Sequence, residues 1–147
     1  MMLGNEAATE AAGRLLAQSL RVGDVIALSG DLGAGKSCLA RGLLAGLGFE
    51  GETPSPTFAL VIPYAPPAVR LSVMHVDLYR LESLEDALEL GLDEALKESA
   101  LIIEWSERLG SALWPHALKI RLEDAGSQGR RLTACAPPSW EGRCPFQ

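Results

Sequence analysis

The sequence predicts a single-domain α/β fold, a mixed parallel and antiparallel sheet flanked by helices. Three observations lead there. A chain of 147 residues suits one domain. In its first half, apolar runs of strand length alternate with helix-periodic segments, and more strand-like runs follow. Hydrophobic residues make up 48% and charged residues 22%, enough for a core and too apolar for disorder. Residues 1–137 are expected to form the domain and 138–147 a flexible tail.

The elements follow in order. Thr9 to Leu20 carries Ala12, Leu15, Leu16 and Leu20 at helical spacing. Asp24 to Ser29 is a short apolar run ending at Gly30, which suits a buried strand. A glycine-rich loop and a helix from Lys36 to Ala45 follow, with Gly46 and Gly48 as stop signals. Two prolines and a glycine make residues 51–57 a loop. Phe58–Tyr64 and Val69–Val76 read as antiparallel neighbours joined by a turn at Pro66-Pro67. Ser83, with Asp86 three residues on, caps a helix that stops near Gly91, and residues 93–98 add a further turn or two. Ala100–Ile103 is another buried strand, running into Glu104 and Trp105. Ala117–Leu122 and Arg131–Cys135 form a last hairpin across Gly126 and Gly129.

Charge and composition narrow the function. The net charge is −6, so the chain on its own is repelled by phosphate backbones, although a local basic site stays open. No apolar run reaches the ~18 residues of a membrane span. No basic segment leads into an apolar stretch at the N-terminus, so no signal peptide is expected. Cys38, Cys135 and Cys144 are odd in number and lack metal-ligand spacing. They suggest free thiols in a reducing cytoplasm, and no zinc site.

The chemistry concentrates at Gly30-Asp-Leu-Gly-Ala-Gly-Lys-Ser37, which fits G-x-x-x-x-G-K-[ST] at every position, after a strand and before a helix. Such a loop turns backbone N–H groups into one concavity at a helix N-terminus, where phosphate oxygens are favoured. Asp31, Leu32, Gly33, Ala34, Gly35, Lys36, Ser37 and Cys38 are therefore the candidate nucleotide contacts. Lys36 would reach the β- and γ-phosphates, and the Ser37 hydroxyl would ligate Mg²⁺. The bland alternative is a glycine-rich turn capping a helix. Cys38 at a helix N-terminus has a position that lowers a thiol's pKa. Packing under the loop is the preferred reading.

A phosphate loop also needs an acid for the metal and a group to orient water. Two strands end in one, Val73–Asp77 and Leu101–Glu104, and either acid suits the role. If Asp77 ends its strand at the nucleotide edge, the antiparallel partner begins there, at Thr57-Phe58. Ser55-Pro56-Thr57, Asp77 and Glu104 then converge where open α/β sheets bind ligands. Separately, each acid could be a strand-end cap. Trp105 could pack or stack on a base or partner. His75 reads as a structural histidine. Arg41, Arg80, Arg108, Arg130 and Arg131 are all candidates for a cation near the γ-phosphate, and the sequence does not choose among them.

Together these pieces resemble the TsaE (YjeE) family, small P-loop ATPases of bacterial tRNA threonylcarbamoyladenosine synthesis. The likeness spans about residues 9–135. It rests on Gly23-Asp-Val-Ile, Gly30–Ser37, Arg41-Gly42, Ser55-Pro-Thr-Phe58, His75-Val-Asp-Leu-Tyr-Arg-Leu81, Glu89-Leu-Gly-Leu-Asp93 and Ile103-Glu-Trp105. The resemblance implies a P-loop NTPase-like fold binding ATP or ADP with Mg²⁺. It implies Ser37 and Glu104 as metal ligands with Asp77 close by, Thr57 in a switch-like loop, and Thr9 near the nucleotide. It also implies TsaD and TsaB as partners, with tRNA met only through their complex. Ser37 stands where the family more often has threonine, which keeps the hydroxyl. The Trp140-containing end matches no family feature.

Two rival readings share the loop. A regulatory GTPase needs an Asn-Lys-x-Asp reader, but the single asparagine is Asn5. A small-molecule kinase needs an acceptor-binding insertion and an arginine-bearing lid, for which the segments between strands are short. A nucleotide-dependent binding module differs from the ATPase only in rate.

Overall fold

The structure is a computed structural model, and it describes residues 1–31, 33–53 and 61–146. Seven strands form one sheet: β1 (Met2–Leu3), β2 (Val25–Gly30), β3 (Val61–Tyr64), β4 (Val73–Asp77), β5 (Ala100–Glu104), β6 (Leu118–Asp124) and β7 (Arg130–Cys135). Their order is β1-β7-β6-β2-β5-β4-β3. The central β6, β2, β5 and β4 run parallel, while β3, β7 and β1 add antiparallel edges. The helices are α1 (Glu6–Ala17), α2 (Lys36–Gly46), α3 (Leu84–Leu88) and α4 (Leu92–Ala95). The single-domain α/β expectation and its mixed sheet hold.

The strands are two-faced, as their period of two requires. Ile26, Leu28, Ile102, Leu118 and Ile120 face a core under α1 and α2. Val25, Ala27, Leu101, Ile103 and Val76 face a second core with Leu92, Leu109 and Ala117. With both faces covered, the parallel strands read as continuous apolar runs. Helices α1 and α2 meet backbone to backbone. A Cβ on Gly13 would stand 2.3 Å from the Leu39 carbonyl oxygen, and one on Gly42 would stand 2.2 Å from that of Glu10. Only glycine allows this approach.

Several boundaries differ from the sequence reading. Helix α1 starts three residues before Thr9, because Asn5 Oδ1 accepts the Ala8 N–H at 2.8 Å and caps it. The strand expected over 69–76 is only Val73–Asp77. Arg70 instead anchors to the first helix layer: its N–H donates to Leu47 O and its guanidinium to Ala17 O at 2.7 Å. Ser83 caps α3 as expected, with its Oγ accepting from Asp86 N–H. Strand β1 was not anticipated, since two residues carry no periodicity. The expected loop over 51–57 and the strand start at Phe58 lie largely outside the described residues.

The flexible tail is corrected. Pro138–Trp140 forms a 3₁₀ turn, and Trp140 is fully buried, with Cys144 and Phe146 beside it in the first core. Arg143 binds the Asp24 carboxylate through both terminal nitrogens at 3.0 Å and lies 4.1 Å over the Trp140 ring. A charge-assisted, two-pronged pair of this kind holds the segment against the domain. The apolar Trp140 and Phe146 were the signal for it.

Candidate functional site

Strands β2, β4 and β5 end on one edge of the sheet. Leu28 pairs with Glu104, and Glu104 pairs with Asp77, so the two acids stand side by side just past the loop that leaves β2. Parallel register alone produces this convergence. The Gly30–Ser37 loop leaves β2 through Gly30 at φ 136°, where a Cβ would lie 2.1 Å from Leu122 O. It enters α2 through Gly35 in the left-handed conformation. Together these turns place Lys36 and Ser37 at the helix N-terminus. Asp31 and Gly33 are exposed, Ala34 is buried, and its N–H closes a turn onto Asp31 O at 3.0 Å. Leu32 and Thr57 lie outside the described residues.

The side chains around the loop form one connected set. Ser37 Oγ donates to Glu104 Oε1 at 2.8 Å. Glu104 Oε2 lies 2.6 Å from His75 Nε2 in a buried contact. His75 thus touches the candidate metal ligand, a role its sequence position did not reveal. Asp77 is buried, and Oδ1 accepts the Tyr79 N–H at 2.8 Å. The Lys36 ammonium donates to the carbonyls of Gly30 and Asp31, and it lies 3.9 Å over the Trp105 ring. Burial lowers its pKa, while Glu107, Glu104, Asp31 and Asp77 oppose that shift. An ammonium resting on its own loop's carbonyls, at the mouth of a cavity, is placed to exchange them for phosphate oxygens.

That cavity, about 280 Å³, is lined by Gly33, Lys36, Ser37, Asp77, Glu104, Trp105, Arg41 and Arg130, among others. Of the five candidate arginines, the structure brings Arg41 and Arg130 to it. Arg130 packs against Gly35 and donates to Thr9 Oγ1 at 3.2 Å, which ties the buried Thr9 to the site. Arg41 pairs with Glu10 at 3.5 Å. Arg108 turns away and donates to Leu81 O. Cys38 is buried, and burial pushes its thiol up, so the packing reading stands. Trp105 has a left-handed backbone at φ 60°, the sole non-glycine positive φ among the described residues. A bulky side chain there costs ~1–3 kcal/mol, and such strain concentrates at functional sites.

Ser37, Glu104 and Asp77 offer oxygen atoms alone, the donor set of a hard divalent cation such as Mg²⁺. Their electrostatics fit one too. Burial first, and the Glu104 charge, raise the Asp77 pKa, against the Tyr79 N–H, His75 and Lys36, and a bound divalent cation would favour the ionised pair. Because the folded state raises this pKa, neutral Asp77 favours folding in acid, and that contribution is lost as pH climbs through the folded pKa. Asp77→Asn is therefore expected to raise the melting temperature at pH 7 by about 2–4 °C, or ~1 kcal/mol. The gain should shrink as the pH falls and disappear only below the ordinary carboxylate range, where Asp77 is neutral in the folded and unfolded chain alike. A drop in melting temperature at pH 7 would refute this account.

Fold and site define an α/β protein with a phosphate-loop sequence at the end of a central parallel strand, facing two acids on the neighbouring strands. Comparison narrows this class. The family model described as "Threonylcarbamoyl adenosine biosynthesis protein TsaE" matches residues 3–132, and the chain belongs to that family. Among its relatives is the tRNA threonylcarbamoyladenosine biosynthesis protein TsaE of Rickettsia felis, 41% identical over 84% of this chain and 71% of the relative. The TsaE of Treponema pallidum is 38% identical over 82% and 88% of the two chains. The crystal structure of Bacillus subtilis YdiB superposes with a TM-score of 0.75 at 32% identity, covering 90% of this chain and 80% of that one.

Proposed function

We propose that this chain binds Mg²⁺ and ATP at the Gly30–Ser37 loop, hydrolyses ATP slowly, and serves tRNA threonylcarbamoyladenosine modification together with TsaD and TsaB in the cytoplasm. The observation that carries the reading is the Ser37–Glu104 contact beside Asp77 and Lys36, a metal-and-phosphate constellation assembled by three strand ends. Lys36 supplies the cation for the β- and γ-phosphates. Ser37 and Glu104 hold the metal, His75 holds Glu104, and Asp77 stands next to them. A metal held there would neutralise phosphate charge while the γ-phosphoryl passes to water and ADP departs. The acidic chain has no need to grip tRNA alone, since the partners would carry it.

The test is ATP hydrolysis by the pure protein, alone and with TsaB and TsaD. With Arg41 paired to Glu10 and Arg130 bonded to Thr9, turnover alone should be about 10⁻⁴ to 10⁻² per second, and partners should raise it severalfold or more. Glu104→Ala should abolish Mg²⁺-dependent hydrolysis while reducing nucleotide binding much less. Unchanged hydrolysis in that variant would make Asp77 the working acid. Rapid turnover near ~10 per second by the pure chain would contradict the partner dependence. Phosphate passed to a metabolite would favour the small-molecule kinase.

A further inference from the structure

Residues 82–98 hold seven acids and one lysine, a charge of −6 that equals the net charge of the whole chain. The protein's acidity is thus a local property of the α3–α4 shoulder. Most of these acids are exposed, and Lys97 is occupied by Glu94 at 3.1 Å. Among them stand two uncovered apolar side chains, Leu88 at 63% and Leu84 at 43% exposure. Beneath Leu88 is a small hollow of about 60 Å³ walled by Ala87, Leu92, Leu109 and Trp114. A second, about 150 Å³, lies between Leu81, Glu82, Ser83, Ala87 and Arg108. Both hollows touch α3 at Ala87; the first is lined mainly by apolar side chains and forms the apolar groove, and the second is lined by Glu82, Ser83 and Arg108 beside Leu81. Trp114 is pinned at its far rim by its Nε1–H bond to Asp93 at 2.7 Å.

An apolar groove ringed by like charge is costly to leave open and repels nucleic acid. It also repels a second copy of itself, because a two-fold contact would set the acids against each other. The geometry points to a protein partner that inserts apolar side chains between Leu88 and Trp114 and surrounds them with lysine or arginine. We propose that this groove is the docking surface for the partner that stimulates hydrolysis, an inference that rests on the partner-coupled reading above. A chain of side chains leads from Arg108, next to the groove, to the site. The Arg108 guanidinium is 5.9 Å from the Tyr79 ring, Tyr79 is 4.8 Å from the Trp105 ring, and Trp105 carries Lys36. An occupant that moves Arg108 therefore acts within three side chains of the phosphate-binding ammonium.

The experiment titrates TsaB and TsaD against wild type, Leu88→Lys and the double variant Glu85→Lys/Glu89→Lys, reading ATP hydrolysis and sedimentation of each mixture. All three positions are exposed, so folding and the rate without partners should be unchanged. Each variant should need at least ~10-fold more partner for half-maximal stimulation, the loss expected at a central contact. The wild-type response should weaken with salt, as charge steering requires. If wild type is stimulated and both variants match it, the groove is not the docking surface while the partner reading stands. If wild type itself does not respond, both fall together. If Leu88→Lys instead abolishes a concentration-dependent dimer of the pure chain, the occupant is a second copy and the partner assignment is overturned.

Discussion

Trp140→Ala should destabilise the protein by about 3–5 kcal/mol, the range for emptying a fully buried large aromatic site. That is a large share of the ~5–15 kcal/mol that holds a domain folded. In a chain of this size it corresponds to a fall of about 6–20 °C in melting temperature. The loss has two parts. The cavity removes Trp140 from the core it shares with Leu3, Leu20 and Phe146. It also takes away the ring on which the Arg143 guanidinium rests, and so loosens the Arg143–Asp24 pair. Trp140→Phe separates these effects. The buried indole N–H finds no acceptor among the described residues, so replacing it forfeits no hydrogen bond. Phenylalanine keeps an aromatic face for Arg143, and its cost should be well under half that of alanine. Calorimetry of both variants checks this. A fall of under ~2 °C for Trp140→Ala would mean that residues 138–146 contribute little to the fold.

Lys36→Ala should weaken ATP binding by about 10- to 150-fold, the value of a charge-assisted contact to phosphate of ~1.5–3 kcal/mol. Burial has already stripped this ammonium of part of its water, so much of the desolvation cost is met before the ligand arrives. Calorimetric titration with ATP and Mg²⁺ measures the loss directly. The ligand-induced rise in melting temperature, which follows mass action, should shrink with it. Stability without ligand should change far less. Full affinity in Lys36→Ala would place the nucleotide elsewhere and remove the basis of the proposed function.

The two predictions fall on opposite sides of what a linear sequence can reveal. The strand, loop and helix around Lys36 were legible because their determinants are local: an apolar run, glycines at left-handed turns, and a pattern whose chemistry lies within eight positions, Gly30 to Ser37. The α/β class was legible for the same reason, since period-two and period-3.6 patterning is written into neighbouring residues. Asp77 and Glu104 could be picked out as acids at strand ends, but their separate roles could not be assigned.

Tertiary structure decided the rest, because the deciding contacts join residues far apart in the chain. Ser37 meets Glu104 across 67 positions, and only the parallel register of β2, β5 and β4 brings Asp77 to the same edge. Arg130 reaches Thr9 across 121 positions, so nothing near Arg130 in sequence could have separated it from the other arginines. His75 reads in the sequence as a structural histidine, and only the fold sets its Nε2 against Glu104. The C-terminal segment reads as a tail because two prolines and a glycine suppress any periodicity. Its docking depends on Asp24, 119 positions away. Local patterning determined the elements and the phosphate loop, and long-range packing chose which charges share a site.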